Sequence, residues 1–479
     1  MSFASFKKQD KYTQMTETPI PKLITYLALP TVISMLITSV YNMADTYFIG
    51  HIPGASISEI TSASGAVAVV FSLMAIIQAC GFFFGQGSGS YISRELGNRN
   101  KENAEEMASF AFFLSMFVGV IIGAFGLIFI EPLAYLLGST DTILPYAKDY
   151  MFYILIGAPF MCGSFVLNNQ MRFQGNAYIS MIGIVSGAVL NILLDYIFVI
   201  LLGMGTSGAG LATAIGQFVG FVVLFVGMRV GNNLKLKLRK FRLSSLYLKE
   251  VVKGGLPSLA RQGLASVGTL SLNFAGKLCG GDAVISAMGI VSRVMGFAFS
   301  AVLGFGQGFQ PVCGYNFGAK KYERVKEGFF FSLKISMTIL VVVLAALIVF
   351  ASEIVGMFNA DERVLAVGKS ALIAQCIAFV GVPFLTYTNM LLQVIGKVVP
   401  ATLLSTCRQG LFFLPILCVL TLCFSEWGVI LSQPVADVLT FAFAVALFVK
   451  EYKELTLLEK QRDEEIPPLS QEVEKVKEQ

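Results

Sequence analysis

Residues 179–202 read ISMIGIVSGAVLNILLDYIFVILL, an apolar run interrupted by one amide, Asn191, and one carboxylate, Asp195. The run is long enough to cross a bilayer, since a hydrocarbon core of ~30 Å takes about 20 helical residues. On a helix, positions i and i+4 share a face, so Asn191 and Asp195 point the same way at membrane depth. A carboxylate at the centre of such a helix costs about 2.5–3.5 kcal/mol on insertion scales, so Asp195 needs a partner, water or a job. The stretch implies both a membrane-embedded chain and a polar device built inside it.

The rest of the 479 residues agrees: 55% are hydrophobic, 14% are charged, and mean hydropathy is +0.73. Apolar stretches of spanning length lie near 22–49, 60–92, 105–131, 143–167, 178–202 and 208–229. Six more lie near 250–276, 283–314, 327–351, 362–390, 398–423 and 428–450. The sequence therefore predicts an all-α integral membrane protein of twelve transmembrane helices. The cluster Lys7-Lys8-Gln9-Asp10-Lys11 is not followed by a short apolar core with a cleavage site, so the first span is expected to direct insertion itself. The eight cysteines are scattered through apolar runs without ligand spacing, and His51 stands alone, so no metal site or cofactor is expected.

With an even number of spans both termini share a side. Lys and Arg number 17 in the loops on that side and 4 in the opposite ones, which predicts cytoplasmic termini. The expected localisation is a bacterial plasma membrane. The last stretch, from Glu459, is charged and poor in apolar residues and reads as a solvated, partly disordered end.

The chain also repeats itself. Gly85-Gln86-Gly87 with Gly97, Arg99 and Glu102 recurs as Gly306-Gln307-Gly308 with Gly318, Lys320 and Glu323. Leu29-Pro30 pairs with Leu256-Pro257, Gly157-Ala158-Pro159-Phe160 with Gly381-Val382-Pro383-Phe384, and Asn168 and Gly175 with Asn389 and Gly396. Two parallel six-helix units follow: an N-lobe over 1–228, a basic linker over 229–249, a C-lobe over 250–450 and a charged tail over 451–479. Facing pseudo-symmetric bundles with polar residues at mid-depth suit an alternating-access carrier. No enzyme-like constellation stands out. Neither Gly-Gln-Gly follows a strand or ends in Gly-Lys-Ser/Thr, so no ATP loop is expected.

The combination of Leu29-Pro30, Tyr41-Asn42-Met43-Ala44-Asp45, Tyr91-Ile92-Ser93-Arg94-Glu95-Leu96-Gly97, Arg172-Phe173-Gln174-Gly175-Asn176, Asn191 to Asp195 and Gly208-Ala209-Gly210-Leu211-Ala212-Thr213 resembles the MATE (multidrug and toxic compound extrusion) family. The resemblance is nearest to its bacterial DinF/MepA-like branch and covers residues 15–450. It implies a MATE/MOP-type fold and a coupling site for H⁺ or Na⁺ formed by Asp45, Asn191, Asp195 and Thr213. The chemistry agrees, because two carboxylates in a poorly solvated bundle disfavour each other's charge, and Asn and Thr oxygens can complete a hard-cation shell. Thr213 can equally bond its own helix. Pro30 removes one hydrogen bond from the first span and bends it. The resemblance implies that this bend changes with the state of the aspartates. Tyr41 is a candidate for the N-lobe cavity.

The C-lobe departs from the NorM-type pattern: no acid follows Leu256-Pro257, so a sodium site there is not expected. Arg261, Gln262, Arg293 and Asp437 are instead its candidates, either as structural ion pairs or at the cavity. The 41 phenylalanines and 18 methionines suit an adaptable apolar cavity. The expected function is a monomeric secondary antiporter, surrounded by membrane lipid, that exports amphiphilic, cationic small molecules against inward H⁺ or Na⁺, with no nucleic-acid partner. The alternative is a lipid-linked saccharide flippase of the same superfamily, with Arg261 and Arg293 holding a pyrophosphate.

Overall fold

The computed structural model describes residues 10–465 except 55, 231–232 and 360, and among these residues there is no strand. The first six spans are α1 (Ile20–Ile49), α2 (Ile57–Gly97), α3 (Lys101–Ile128), α4 (Leu144–Phe173), α5 (Ala177–Asp195, continuing as a π-helix over Tyr196–Leu201) and α6 (Gly205–Arg229). The element Ser245–Gly318 holds two spans, α7 (245–280) and α8 (282–318). Gly281 between them adopts φ 66° and ψ −153°, which a side chain rarely tolerates. Then come α9 (Tyr322–Val349), α10 (Glu362–Phe379 and Val382–Val394, bent by 50°), α11 (Val398–Phe424) and α12 (Glu426–Glu465). Twelve helices of spanning length result, in two six-helix bundles.

Local chemistry sets several of these boundaries. Ser56 and Glu59 form a capping box at the start of α2, the Ser56 amide donating to the Glu59 carboxylate at 2.7 Å. Pro383 opens the second half of α10, since it lacks an amide proton and disfavours helix just before it. Helices α2 and α8 run to Gly97 and Gly318, past the apolar edges near 92 and 314, because the polar groups there are satisfied. The Arg94 guanidinium, for example, donates to Glu250 at 2.7 Å. Helix α12 likewise runs to Glu465, where a solvated end from Glu459 was expected. Glu454 and Glu459 are ion-paired to Lys397 and Lys326, which hold this helical end against the bundle. The expected disorder beyond 465 and the Lys7-Lys8 cluster lie outside the described residues.

The duplication is visible in the backbone. Arg99 and Lys320 both turn at positive φ (61° and 57°), as do Gly175 and Gly396 (80° and 87°). The Asn168 amide donates to Ser180 Oγ at 2.5 Å, joining α4 to α5, and the Asn389 amide donates to the Ala401 carbonyl at 2.6 Å, joining α10 to α11. Segments near both ends of the described residues meet the α8–α9 turn: Asn316 donates to the Met15 carbonyl and Arg462 to the Lys320 carbonyl.

The lobes close on that same face. A Cβ at Gly87 would lie 2.3 Å from the Val251 oxygen, one at Gly97 2.2 Å from the Tyr315 oxygen, and one at Gly318 2.1 Å from the Arg94 oxygen. Only glycine allows backbones this close. The inter-lobe hydrogen bonds among the described residues lie in this half, including Thr31 to the Gly304 carbonyl at 2.7 Å and Gln310 to Gln86 at 3.2 Å. Arg172, almost fully buried in the seam, donates to Gln307 of the other lobe and to Asn169 at 2.6 Å.

Candidate functional site

Beyond the seam the lobes enclose a cavity of about 440 Å³. Its N-lobe wall includes Met35, Thr38, Phe82 and Phe165, and its C-lobe wall includes Arg261, Gln262, Met295, Phe299 and Arg408. A narrower N-lobe pocket of about 70 Å³, lined by Tyr41, Asn191, Thr213 and Gln217, shares Thr38, Phe165, Asn168 and Ile184 with it. The large cavity therefore continues into the N-lobe.

Asn191 and Thr213 line this pocket, and the Tyr150 hydroxyl links Thr213 to Asp45 behind it. Glycines make that possible. A Cβ at Gly187 of α5 would lie 2.7 Å from the Gly216 oxygen of α6, and one at Gly210 of α6 2.9 Å from the Tyr150 oxygen of α4. With α4, α5 and α6 this close, Asn191 Nδ2 donates to Thr213 Oγ1 at 3.2 Å. The Tyr150 hydroxyl donates to both oxygens of Asp45, at 2.9 and 3.0 Å, and lies 3.3 Å from Thr213 Oγ1. Asp45, Asn191, Asp195 and Thr213 are each 0–3% exposed. Tyr150 was not among the residues expected from sequence. A tyrosine inside an apolar run gives no separate signal, and its role appears only when α4 is placed against α1.

Asp195 differs from Asp45 in having no partner. Both of its carboxylate oxygens, and the Asn191 side-chain oxygen on the same helix face, are buried without a hydrogen bond among the described residues. Asp195 and Asp45 are near enough to repel as like charges. The α-helix gives way to a π-helix immediately after Asp195, an irregularity frequent at functional sites. A buried carboxylate without a donor is stable only when neutralised, by a proton or a bound cation. Three such oxygens suit either ligand. No cluster of three or more His, Cys, Asp or Glu exists among the described residues, so a cation here would draw on amide and hydroxyl oxygens beside two carboxylates.

Pro30 is buried in α1, which stays helical through it, and the next residue, Thr31, makes the inter-lobe bond to Gly304. The helix that carries Asp45 is thus the helix that touches the C-lobe at Pro30.

In the C-lobe the structure redistributes the expected roles. Asp437 is fully buried, but its partner is neither Arg261 nor Arg293. Arg408 Nε donates to it at 2.9 Å, with Gln433 at 2.8 Å and Gln375 at 2.9 Å. Arg408 was missed, although it is the single charge in the run 398–423. It lies in the π-helix Cys407–Leu411 and over the rings of Phe299 and Phe379. Arg261 and Gln262 line the cavity. Arg293 is exposed and is not among the lining residues, which on α8 include Val291, Ser292 and Met295. Of the two arginines expected to hold a pyrophosphate, only Arg261 is among the cavity's lining residues.

A family model described as MatE matches residues 30–197 and 258–419, most of the chain. The chain belongs to the MatE family. The multidrug export protein MepA of Staphylococcus haemolyticus is 28% identical to this MatE protein over 447 residues, covering 92% of this chain and 96% of that protein. The multidrug export protein MepA of Staphylococcus aureus (strain NCTC 8325) is 28% identical over 448 residues, with the same coverage. A structure described as the outward-facing conformation of a multidrug resistance MATE family transporter of the MOP superfamily matches with a TM-score of 0.86 at 25% identity, over 95% of this chain and 100% of that one. A structure of MATE in the straight conformation matches equally well. As a MatE member the chain is a multi-pass membrane transporter rather than an enzyme.

Proposed function

We propose that this MatE protein exports amphiphilic organic molecules across a bacterial plasma membrane in exchange for inward H⁺ or Na⁺. The observation that carries the reading is Asp195, a fully buried carboxylate with no donor among the described residues, one helical turn from Asn191, which lines the pocket that joins the central cavity. Occupancy of that site by a proton or cation changes the net charge buried among α1, α5 and α6 by one. A one-charge change in a low-dielectric bundle is large enough to select between two packings.

The route to the substrate is α1. It holds Asp45 near its outer end and meets Gly304 of α8 through Thr31, so an altered bend at Pro30 alters the inter-lobe seam. Tyr41 lies on the same helix, lining the pocket between ion and cavity. Thr213 and Asn191 serve as oxygen ligands and as the hydrogen-bonded frame that keeps the pocket open. The excess of basic residues on the face that carries both ends supports cytoplasmic termini. With the seam closed on that face, the cavity belongs to the outward-facing state. The C-lobe offers no equivalent ion site, since Asp437 is already paired, so coupling is confined to the N-lobe.

The test is gradient-driven efflux of a fluorescent dye from proteoliposomes, under an imposed pH gradient and then an imposed Na⁺ gradient. Asp45→Asn and Asp195→Asn should each abolish coupled transport while leaving the protein monodisperse. Coupled transport at the wild-type rate in both variants would refute the reading. The gradient that drives the wild type identifies the ion.

A further inference from the structure

The charged residues that line the central cavity are Arg261 and Arg408, and no carboxylate is among its lining residues. Arg408 is compensated: the two oxygens of Asp437 take bonds from Arg408, Gln433 and Gln375. That carboxylate has nothing left for a second guanidinium. Arg261, half-buried on α7, makes no hydrogen bond, ion pair or ring contact among the described residues, and it feels Arg408 as a like charge. Arg172 in the seam below adds a third guanidinium whose acceptors are only the amides of Asn169, Gln307 and Gln310. Three guanidinium groups against one carboxylate leave this region with two uncompensated positive charges.

We propose that Arg261 binds an acidic group on the exported molecule, a carboxylate, sulfonate or phosphate, within the cavity that the proposed export function already treats as the substrate site. A guanidinium in a poorly solvated cavity is costly unless paired, and the partner it matches best is a planar or tetrahedral oxyanion taken by two parallel N–H donors. The neighbouring amides of Gln262 and Gln409 supply neutral donors for the remaining oxygens. Met288, Met295, Phe299 and Phe413 give an apolar, deformable bed for the body of an amphiphile. The inference departs from the expectation of an amphiphilic, cationic substrate. A cation would meet a positive wall on the C-lobe side, whereas an acid or a zwitterion meets its complement. The acidic group could come from a soluble amphiphile or from a lipid headgroup entering laterally, and the two sources share this chemistry.

The experiment uses the full-length protein at equilibrium, with no ion gradient, and two probes that differ only at one group: a rhodamine with a free benzoic carboxylate and the methyl ester of the same dye. Fluorescence anisotropy gives the acid-to-ester affinity ratio. Arg261→Gln should lower that ratio at least ~tenfold, the scale of one charge-assisted bidentate contact, and Arg261→Lys should restore part of it. A ratio unchanged in Arg261→Gln, or a ratio already favouring the ester in the wild type, overturns the proposal. Ester binding itself reports that the variant is folded. Repeating the titration in nanodiscs of phosphatidylglycerol and of phosphatidylcholine separates the sources. Competition by phosphatidylglycerol in the wild type, lost in Arg261→Gln, assigns the site to a lipid headgroup. Equal acid binding in both lipids assigns it to a soluble amphiphile. Because no gradient is used, failure here is distinct from failure of ion coupling at Asp45 and Asp195.

Discussion

Gly97→Ala is the sharpest perturbation of the inter-lobe seam. The added Cβ would stand 2.2 Å from the Tyr315 carbonyl oxygen, where ordinary contact begins at 3.4 Å. The obstructing atom is backbone, so no side-chain rotation relieves it, and α2 and α8 must part by about 1.2 Å, the difference between these distances. A parting of that size takes the Gln310–Gln86 contact between these two helices, now 3.2 Å, out of hydrogen-bond range. Overpacking of this kind costs about 1–3 kcal/mol. If only the closed seam bears the cost, the closed population falls about five- to 150-fold relative to the open one. Gly318→Ala, its repeat mate, places a Cβ 2.1 Å from the Arg94 oxygen and should act in the same sense.

Spin labels at Glu102 of the N-lobe and Glu327 of the C-lobe, both exposed, read the opening directly as a distance distribution. Gly97→Ala should shift that distribution to longer distances and slow export by the same factor that it depopulates the closed state. Gly289→Ala is the control, because a Cβ there meets nothing within 4 Å. A wild-type distribution in both Gly97→Ala and Gly318→Ala would refute the reasoning. It would mean that the seam is not the closure on which the cycle depends.

The other perturbations address the two polar devices and the end of the chain. Tyr150→Phe removes the hydroxyl that donates to both Asp45 oxygens, a buried-donor loss of about 1–3 kcal/mol. Coupled dye efflux should fall about tenfold or more, and an unchanged rate would remove Tyr150 from the site. Asp437→Asn leaves Arg408 uncompensated beside Arg261 and should destabilise the protein by about 3–5 kcal/mol, while Asp437→Asn with Arg408→Gln should recover much of the loss. Thermal unfolding in detergent reads both, and a double variant no more stable than the single one would show that the ion pair is not the cause. Truncation after residue 450 deletes the partners of Lys326 and Lys397. It should lower the unfolding midpoint by a few degrees, in keeping with two partly buried ion pairs of about 1 kcal/mol each.

What could be read from the sequence divides along a physical line. Span number and the duplication depend on length, spacing and residue type, all of which are local, whereas the grouping of Asp45, Asn191, Asp195 and Thr213 came from the family resemblance. The turn conformations shared by Arg99 and Lys320, and by Gly175 and Gly396, even lie in the repeated motifs themselves. Helix rotation and depth are not local. Arg293 was a cavity candidate because it is charged within a span, yet it is exposed and not among the lining residues. Tyr150 is apolar in composition and polar in effect, so it is invisible until α1 and α4 are placed together. The partner of Asp437 required knowing that α11 and α12 pack with Arg408 facing inward. The π-helices at Tyr196–Leu201 and Cys407–Leu411 carry no sequence signature at all, yet each adjoins a charged residue of a site.

Those two π-helices point to how the duplicated halves have diverged. They occur on equivalent spans, α5 and α11, one just after an unpartnered carboxylate and the other containing a guanidinium. On the proposed reading the N-lobe carboxylates Asp45 and Asp195 take a cation, and Arg261 on the C-lobe wall takes an anion. With like charges in both lobes, ion and substrate would compete for the same sign of field. With opposite charges, each lobe repels the other's ligand. On the same proposed reading the ion is kept in the N-lobe and an acidic group in the C-lobe, joined by the residues Thr38, Phe165, Asn168 and Ile184 that the two pockets share. On this view simultaneous occupancy is electrostatically permitted. Coupling must then come from the seam and α1 rather than from displacement of one ligand by the other. A carrier that worked by direct displacement would show mutually exclusive binding of ion and acid. This one should still bind acid when Asp195→Asn mimics the ion-loaded site, with an affinity changed only as far as the balance of the two packings shifts; loss of acid binding in that variant, measured at equilibrium in detergent, would mark direct displacement.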